Sequence, residues 1–439
     1  MLPIDVRRRV DAIWDKIWAS GVSNPLTAIE YFSTVLLLQR LNDSEPGRDA
    51  DTSLQSTLIE HITSGDVSAV AELMLKAQVR FGIGASPDIA SASTWQDLST
   101  LKDVLRDVRD LELSDRNHDI LGDLFEFMLN HLSTAGHFGQ FRTPRHLIRF
   151  LVEAVAPQLG ETVVDPACGT AGFLIAAHEY RHGTPEDIYV GNEVDATMAR
   201  IAHTNVLLHE MSGASIRHED SLRVRVCDAD VILANPPFAG AVVADRVIDF
   251  ESGTLKTELL FIELMMRRLR EGGRAGVIVP TGVLTSSASA AVWIRRQLVE
   301  GSRLRAVVEL PAGIFRPYTG VKTGLLFWSN EPAVEDVLMV RVDHDGYSLD
   351  DKREPIEEND LPEVLKLLSG TAANVAHARV HRDELAGNRY NLSPSRYIAS
   401  ESNHDFGLGK ASFVDSLKSA KRAAGDLTDE LALLEGFVL

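Results

Sequence analysis

The chain has 439 residues, a length that predicts about three domains and a sizeable hydrophobic core. Hydrophobic residues make up 45% and charged residues 24%, which excludes wholesale disorder. Lysine and arginine number 44 against 63 acidic residues, and this net charge of −19 repels nucleic acid unless a local basic patch or a partner offsets it.

The two cysteines, Cys168 and Cys227, are too few for a disulfide scaffold or a four-thiolate zinc site. The histidine spacing likewise predicts no metal site. No run approaches the ~18 consecutive apolar residues that a membrane span requires. Residues 1–10 contain a basic segment without an apolar core after it, so no secretory signal is predicted. We therefore expect a cytoplasmic protein that does not contact a membrane.

Residues 1–135 predict an all-helical N-terminal domain without chemistry of its own. A helix over Pro25–Leu41 is predicted because Ser23 and Asn24 supply a cap and apolar residues then recur at helical spacing. Further helical patterns cover three later stretches, residues 67–81, 93–111 and 115–133.

Residues 136–335 predict a Rossmann-like α/β domain, because short apolar strands alternate with helical segments. The predicted strands are 162–165, 188–193, 215–218, 231–234, 275–280 and 304–310. The predicted helices are 172–181, 195–211, 257–270 and 287–299. A last run, Thr323–Trp328, follows a loop too short for a crossover helix, so we expect it to pair antiparallel at an edge of a mostly parallel sheet.

The structural signals weaken after residue 335. Residues 336–400 predict an extension of the preceding domain, in which the acidic and proline-containing stretch 345–362 is expected to be a solvated connection. Residues 401–439 predict a short helical tail, with an amphipathic helix over Phe413–Leu434. That helix either packs on its own domain or docks on a partner.

The sharpest motif is the segment Val163–Leu174, in which a strand ends at Asp165, a small-residue loop follows and a helix begins. In an open α/β sheet, a nucleotide-like ligand binds at the junction after the first strand. Gly169 and Gly172 allow the backbone to approach a ligand closely. A glycine pair alone is equally typical of a plain tight turn.

Two acidic positions narrow the class of ligand. Glu193 ends the second strand, where a carboxylate accepts hydrogen bonds from ribose hydroxyls, and Asp220 follows the third strand, where it can accept from an adenine amino group. The loop lacks the glycine spacing of dinucleotide sites and the Gly-Lys pair of phosphate-binding loops. A cationic nucleoside without phosphate, S-adenosylmethionine, therefore fits better.

The fourth predicted strand ends in Asn235-Pro236-Pro237-Phe238. Two consecutive prolines stop the strand and stiffen the backbone, which leaves the Asn235 side-chain oxygen and the Pro236 carbonyl as fixed acceptors. Acceptors beside an aromatic ring suit a planar exocyclic amine, and stacking of the ring is worth ~1–3 kcal/mol per base. Taken alone, the run is also typical of a rigid turn.

In this order, these segments resemble the gamma-type S-adenosylmethionine-dependent N6-adenine DNA methyltransferases. More narrowly, the chain resembles the modification subunit of type I restriction-modification systems. Further matches are Gly139–Arg145 upstream and Leu310–Phe315, Tyr318–Thr323 and Asn388–Ser393 downstream. The resemblance covers about residues 25–400 and is weakest in the N-terminal helices. It implies methyl transfer from S-adenosylmethionine to the N6 amino group of adenine in DNA.

The resemblance also assigns site residues. It places at the cofactor Gln140, Phe141, Thr143, Pro144, Arg145, Asp165, Ala167, Gly169, Thr170, Ala171, Gly172, Glu193 and Asp220. It places at the target adenine Asn235, Pro236, Pro237 and Phe238. Arg142 departs from the family's usual pattern and receives no role.

Because the chain is acidic overall, binding to DNA requires a local basic surface or a partner. Basic clusters at Arg267–Arg274, Arg295–Arg296 and Arg303–Arg305 are candidates for a DNA-facing surface, although helices often carry such runs on solvated faces. After Thr323 the chain contains no basic module that could read a sequence. The resemblance implies that a specificity subunit reads double-stranded DNA from which the base is flipped. It also implies a second copy of the chain and a nuclease or translocase subunit.

Two alternatives stay open. A stand-alone amino-methyltransferase could act on DNA or on a protein glutamine amide, whose planar nitrogen suits the same motif, but the segment Gly139–Arg145 argues against it. A catalytically silent scaffold is disfavoured by the intact Asn235 and Phe238. Methylation of cytosine C5 is excluded because neither Cys168 nor Cys227 lies in the Pro-Cys loop that this thiolate chemistry requires.

Overall fold

The computed structural model describes residues 3–22, 24–44, 54–91, 94, 97–111, 120–134, 143–184, 187–238, 240–242, 250–301, 303–317, 319–332 and 334–398. In this part of the chain, the predicted helical N-terminal region is confirmed. Its helices are α1 (Ile4–Ala19), α2 (Pro25–Ser44), α3 (Leu54–Ser64), α4 (Val67–Arg80), α5 (Pro87–Ala90), α6 (Leu98–Arg109) and α7 (Ile120–Thr134).

Side-chain caps mark the start of helices α2, α4, α5 and α6. The Asn24 side-chain oxygen accepts a hydrogen bond from the Leu26 amide at 2.9 Å, as the predicted cap of α2 requires. Helix α6 begins at Leu98, later than the predicted residue 93, because the Asp97 carboxylate accepts from the Thr100 amide at 3.1 Å. Helix α3 was not predicted separately.

The remaining helices flank or follow the sheet. They are α8 (Arg145–Val155), α9 (Gly172–Tyr180), α10 (Ala196–Leu208), α11 (Thr257–Arg268), α12 (Thr281–Thr285), α13 (Ser289–Arg296), α14 (Leu361–Leu368) and α15 (Arg382–Gly387). A π-helical turn, Gln297–Gly301, extends α13, and a 3₁₀ turn covers Pro394–Arg396. The predicted helices 172–181, 195–211, 257–270 and 287–299 correspond to α9, α10, α11 and α13.

The strands of the main sheet are β1 (Val163–Asp165), β2 (Tyr189–Glu193), β3 (Ala214–His218), β4 (Ala229–Ala234), β5 (Leu269–Pro280), β6 (Arg303–Glu309), β7 (Thr323–Ser329), β8 (Asp336–Arg341) and β11 (His377–His381). Their order is β11-β8-β6-β7-β5-β4-β1-β2-β3. Strands β3, β2, β1, β4 and β5 are parallel neighbours. The predicted Rossmann-like, mostly parallel sheet is therefore confirmed.

Each face of the sheet carries its own hydrophobic core. Val231 and Leu233 of β4 pack with the helices α8, α9 and α10 on one face. Ile232 and Ala234 pack with α11 and α13 on the other. This alternation along a strand buried on both sides explains the nearly continuous apolar run in the sequence.

The N-terminal helices pack on the sheet domain through α10. Met198, Ile201 and Leu208 of α10 belong to the same hydrophobic core as Phe32 of α2 and Phe125 of α7. A buried ion pair reinforces this contact, because Nε of Arg200 in α10 lies 2.6 Å from a carboxylate oxygen of Glu30 in α2. The helical region is therefore attached directly to an element that flanks the sheet.

The predicted edge position of β7 is wrong. The strand is antiparallel, as expected, but it lies between β5 and β6 and pairs with both. Every residue of β7 is buried, which a strand achieves only when neighbours cover both its edges and both its faces. The sheet continues beyond β6 because β8 pairs with β6 in parallel and β11 pairs with β8.

The prediction of a solvated connection over residues 345–362 is also wrong in part. This stretch forms an antiparallel hairpin of β9 (Asp345–Tyr347) and β10 (Pro355–Asn359), followed by the start of α14. Asp345 is fully buried, while β10 is exposed along its whole length. The sequence reveals the acidic solvated strand but not the buried partner strand.

The described residues up to Tyr397 belong to one compact unit, and Ile398 begins a second. The predicted helix over Phe413–Leu434 lies outside the described residues. The division into domains at residues 135, 335 and 400 stays a prediction. Among the described residues, no helix has the length and apolar character needed to cross a membrane.

Candidate active site

The predicted site residues of the sheet lie at one edge. Strand β1 pairs in parallel with β2 on one side and with β4 on the other, in register at Val164 with Val190 and Ile232. The carboxyl ends of these strands therefore meet at the same edge. Asp165 and Glu193 are the last residues of β1 and β2, and Asn235 comes directly after β4. Asn235 therefore lies at the end of the strand beside β1 and its glycine loop, as a shared pocket requires.

The glycine loop between β1 and α9 is a tight turn with two left-handed residues. Gly169 has φ of 52° and Ala171 has φ of 66°. The Ala171 amide donates to the Cys168 carbonyl at 2.7 Å and so closes the turn. A Cβ atom at Gly172 would lie 3.1 Å from Cδ1 of Ile148 in α8. Gly172 thus allows close packing of the helix, while Gly169 supplies the backbone conformation.

Glu193 holds this loop from the second strand. One carboxylate oxygen accepts from the Gly169 amide at 2.9 Å and the other accepts from the Asp195 amide at 2.9 Å. A carboxylate offers about four acceptor positions, so both oxygens keep capacity for the hydroxyls of a ribose. Burial raises the pKa of Glu193.

Asp165 is the most strongly perturbed acid of the site. Its side chain is 1% exposed and accepts from the Ala167 amide at 3.0 Å. Burial, with a smaller contribution from the charge of Glu193, raises the pKa of Asp165 to about 8. A ligand that brings positive charge would offset this burial and favour the carboxylate.

Asp220 lies on the loop that follows β3. Its carboxylate accepts from the Leu222 amide at 3.0 Å and lies 3.5 Å from Nε of Arg223. The adjacent Ser221 is buried and donates to the Pro166 carbonyl at 2.7 Å. This contact joins the loop after β3 to the glycine loop, so Asp220 lies on the same side of the site as Asp165.

Asn235 has the most informative geometry. Its Nδ2 donates to Oγ1 of Thr143 at 2.8 Å, a contact between residues 92 positions apart. Its Oδ1 is buried and has no hydrogen-bond partner in the structure. A buried acceptor without a partner requires an explanation, such as a bound water, an ion or a ligand. Thr143 therefore orients the amide so that its acceptor is presented and its donor is occupied.

An aromatic pair lies beside Asn235. The ring of Phe238 meets that of Phe315 edge-to-face, with centroids 5.4 Å apart and planes at 90°. Phe315 is 1% exposed, whereas Phe238 is half-buried. Of the two prolines before Phe238, Pro236 is buried and Pro237 is exposed. The Phe315 side chain fixes the tilt of the ring that the sequence assigns to the target base.

The sequence missed a buried polar network behind the glycine loop. Nδ2 of Asn205 in α10 donates to the Thr170 carbonyl at 2.8 Å and to Oε1 of Glu126 at 2.6 Å. The other oxygen of Glu126, which belongs to α7, accepts from Arg145 at 2.9 and 3.2 Å. No motif marks Glu126 or Asn205, because each sits at an unremarkable position within a helical pattern.

Pro144 and Arg145 begin α8, Pro144 as its N-cap residue and Arg145 as its first residue. The guanidinium of Arg145, predicted to line the cofactor site, is engaged by Glu126. Gln140, Phe141 and Arg142 lie outside the described residues, as does Tyr318. Among the described residues, no group of three or more histidine, cysteine or acidic side chains could hold a metal ion.

The described arginine side chains of the three basic clusters are engaged by ion pairs or by backbone carbonyls. Arg270 pairs with Asp230, and Arg274 pairs with Glu161, both near the amino ends of β4 and β5 and so opposite the candidate site. Arg305, near the amino end of β6, pairs with Glu331. Arg295 is 1% exposed and donates to backbone carbonyls. These contacts favour a solvated or structural role for the clusters, and a DNA-facing surface stays a prediction.

Comparison with known proteins identifies the family. The sequence profile of the N-6 DNA Methylase family matches residues 116–406, well over half of the chain. The chain belongs to the N-6 DNA methylase family.

Two further relatives agree with this membership. The methylase subunit of the type I restriction enzyme EcoEI from Escherichia coli is 33% identical over 255 residues, which cover 54% of this chain and 52% of that protein. A Vibrio vulnificus protein assigned as a modification subunit of a type I restriction enzyme is 26% identical, with a TM-score of 0.68 over 88% of this chain and 94% of that one. The chain spans about half the length of the curated relatives it matches.

A third comparison concerns the fold alone. The type I restriction-modification methyltransferase subunit from Streptococcus thermophilus is 16% identical and superposes with a TM-score of 0.72. The match covers 90% of this chain and 99% of that one. The helical region and the extended sheet described above therefore form an arrangement that other chains adopt.

Proposed function

We propose that this chain transfers the methyl group of S-adenosylmethionine to the N6 amino group of adenine in DNA. The observation that carries the proposal is Oδ1 of Asn235, a buried acceptor without a partner, held in orientation by Thr143. It lies on the strand next to the glycine loop and close in sequence to the Phe238 ring. An acceptor and an aromatic face together suit the edge and the plane of an amino-substituted base.

The residues around the glycine loop fit S-adenosylmethionine. Asp165 is buried and Glu193 is half-buried, and neither has a basic partner among its described hydrogen bonds. The positive charge of this cofactor would favour both carboxylates. Glu193 would hold the ribose and Asp220 the adenine ring. The methionine side would be closed by Gln140, Phe141, Thr143, Pro144 and Arg145. Backbone amides close to the ligand would come from Ala167, Gly169, Thr170, Ala171 and Gly172.

S-adenosylmethionine supplies an electrophilic methyl group on a sulfonium. The chain's own task is to prepare the nitrogen, whose lone pair is delocalised into the base. Asn235 Oδ1 and the Pro236 carbonyl accept hydrogen bonds from its two N–H groups and favour tetrahedral geometry, so that the lone pair becomes available. Phe238 stacks on the ring of the base, which is worth ~1–3 kcal/mol and helps to keep it out of the duplex. The proton leaves to water after transfer.

We further propose that the chain acts as the modification subunit of a type I restriction-modification complex. Its net charge of −19 and its ion-paired basic clusters favour a separate specificity subunit as the reader of the DNA sequence. Partners of this complex would include a second copy of the chain and a nuclease or translocase subunit. The E. coli relative is itself named a methylase subunit of such an enzyme.

The test identifies which molecule receives the labelled methyl group. The complex purified through a tag on this chain is incubated with DNA and cofactor labelled in the methyl group, and the labelled product is identified after digestion. Label in N6-methyladenine supports the proposal, whereas label in the protein would support methylation of a glutamine amide. No label in either would support a scaffold.

A pair of asparagine variants tests the assigned residue. Asn235→Ala is expected to lower the rate by roughly a hundredfold or more, the range seen when one catalytic hydrogen-bonding group is removed, with cofactor binding retained. Asn330→Ala is the matched control, because its Nδ2 donates to the Leu269 carbonyl at the opposite end of β5. Equal turnover by both variants would remove Asn235 from the mechanism.

A further inference from the structure

Glu309 lies at the neck of the loop that carries Phe315, the point where the two ends of the loop come together. It is the last residue of β6, is 3% exposed and starts the connection 310–322 to β7. Its Oε1 pairs with Nζ of Lys322, the last residue before β7. At the same neck the Leu310 amide donates to the Thr323 carbonyl at 3.0 Å. One carboxylate thus ties the two ends of the loop together.

The same carboxylate also binds the C-terminal segment, residues 389–395, through two serines that lie more than eighty positions away. Oε1 accepts from Oγ of Ser395 at 3.0 Å, and Oε2 accepts from Oγ of Ser393 and the amide of Ser395, both at 3.2 Å. Burial raises the pKa of Glu309, but Lys322 and the Ser395 hydrogen bonds outweigh it and hold the pKa below its ordinary value. The ionised side chain therefore serves four donors.

The C-terminal segment is itself firmly placed. Arg389 and Tyr390 both have left-handed backbone, with φ of 54° and 52°. The buried Arg295 donates to the Tyr390 carbonyl at 2.6 Å, and the Leu392 amide donates to the Leu284 carbonyl at 2.9 Å. Residues 393–395 therefore approach Glu309 from an anchored position and supply a fixed reference for the loop.

The loop contacts the candidate base site at one point and the β9–β10 hairpin at another. Phe315 meets Phe238 edge-to-face, and Gly313 passes so close to the hairpin that a Cβ atom there would lie 2.6 Å from the Leu349 carbonyl oxygen. Gly313 also has φ of 99°, so this approach requires glycine. Between the neck and the ring, Leu310 and Ile314 are buried in the same hydrophobic core as Phe315, so a shift at the neck would be transmitted to the Phe315 ring.

We propose that Glu309, through Lys322 on one side and the Ser393–Ser395 segment on the other, is a positioning residue that holds Phe315 against Phe238. The inference rests on the proposed function only in taking Phe238 as the ring that stacks on the target base. It assigns to the C-terminal segment a part in the target-base site that its distance in sequence conceals.

The first test does not depend on methyl transfer. Hydrogen exchange of the full chain is compared for the wild type, Ser393→Ala/Ser395→Ala and the control Ser86→Ala, whose hydroxyl donates to the buried Glu30 of the N-terminal helices at 2.7 Å. The double variant is expected to speed exchange over residues 310–322 roughly tenfold, the factor that about 1.4 kcal/mol of lost hydrogen bonding gives. Residues 163–172 should be unaffected. Exchange that is unchanged in the loop, or faster everywhere alike, would overturn the inference.

The second test separates positioning from simple stability. In the complex, kcat/KM for DNA per folded enzyme is expected to fall roughly tenfold in the double variant and in Glu309→Gln, with cofactor Kd unchanged. The single variant Ser395→Thr, which keeps the hydroxyl, should retain most of the wild-type kcat/KM. A lower melting temperature with unchanged kcat/KM would refute the positioning role. Absence of DNA methylation by the wild type would instead refute the proposed function and leave the exchange result valid.

Discussion

The contact between Thr143 and Asn235 yields the sharpest prediction. The resemblance places Thr143 at the cofactor, whereas its described hydrogen bond is to Nδ2 of Asn235. Thr143→Val keeps the shape of the side chain and removes the hydroxyl. If Thr143 serves mainly Asn235, this variant lowers kcat and leaves cofactor affinity unchanged. If it serves mainly the cofactor, the cofactor Kd rises instead.

The magnitude follows from the lost acceptor. Without Oγ1, Nδ2 of the half-buried Asn235 has no partner, and an unsatisfied buried donor costs about 1–3 kcal/mol. The amide torsion is roughly two-fold, so the group can turn and present Nδ2 instead of Oδ1 to the target nitrogen. A loss of about 1–2 kcal/mol of orientation lowers kcat roughly fivefold to thirtyfold.

The assay compares three proteins. Single-turnover methyl transfer measures the chemical step, calorimetry measures cofactor Kd, and thermal unfolding corrects for the folded fraction. Thr143→Ser is the matched control because it keeps a hydroxyl that can accept from Asn235, and it should stay within about twofold of the wild type. Equal rates for the valine and serine variants, or a raised cofactor Kd with an unchanged rate, would refute the orienting role.

Two further predictions concern buried charges. The raised pKa of Asp165, about 8, means that its contribution to the free energy of unfolding is present at low pH and is lost as the pH rises through 8. Without cofactor, Asp165→Asn should therefore gain melting temperature relative to the wild type between pH 6 and 9, and a constant difference would contradict the assignment. Arg295 donates to the carbonyls of Val283, Ser286 and Tyr390, so Arg295→Met should destabilise the chain by about 3 kcal/mol or more in urea unfolding. The adjacent Arg296→Met is the control, because its exposed pair with Glu300 should matter little, and equal losses would refute the structural role of Arg295.

Most strands of the sheet could be predicted from the local pattern of the sequence. Six predicted strands and four predicted helices have counterparts because each depends on short-range periodicity and on the residues that stop it. The motifs at Asp165, Glu193 and Asn235 could be placed at one edge for the same reason, since parallel strands present their carboxyl ends together.

Other features depended on residues far apart in the chain. The central position of β7 could not be predicted, because strand order is decided by which edges are covered and not by the apolar run itself. Arg295 looked like part of a basic surface, but it is buried among carbonyls that only the folded chain brings together. The ion-pair partners of Arg270 and Arg274, Asp230 and Glu161, likewise lie at distant positions in the sequence.

By itself, the sequence determined the class of fold and the order of the motifs, and it singled out Asn235 and Phe238 as the proposed acceptor and ring, because these features depend on neighbouring residues. Only the tertiary structure decided that Thr143 turns the Asn235 amide, that Phe315 sets the tilt of Phe238 and that Glu309 gathers the C-terminal segment. Each of these contacts joins distant positions, and no local periodicity or spacing records which side chains a folded chain will bring within hydrogen-bond reach.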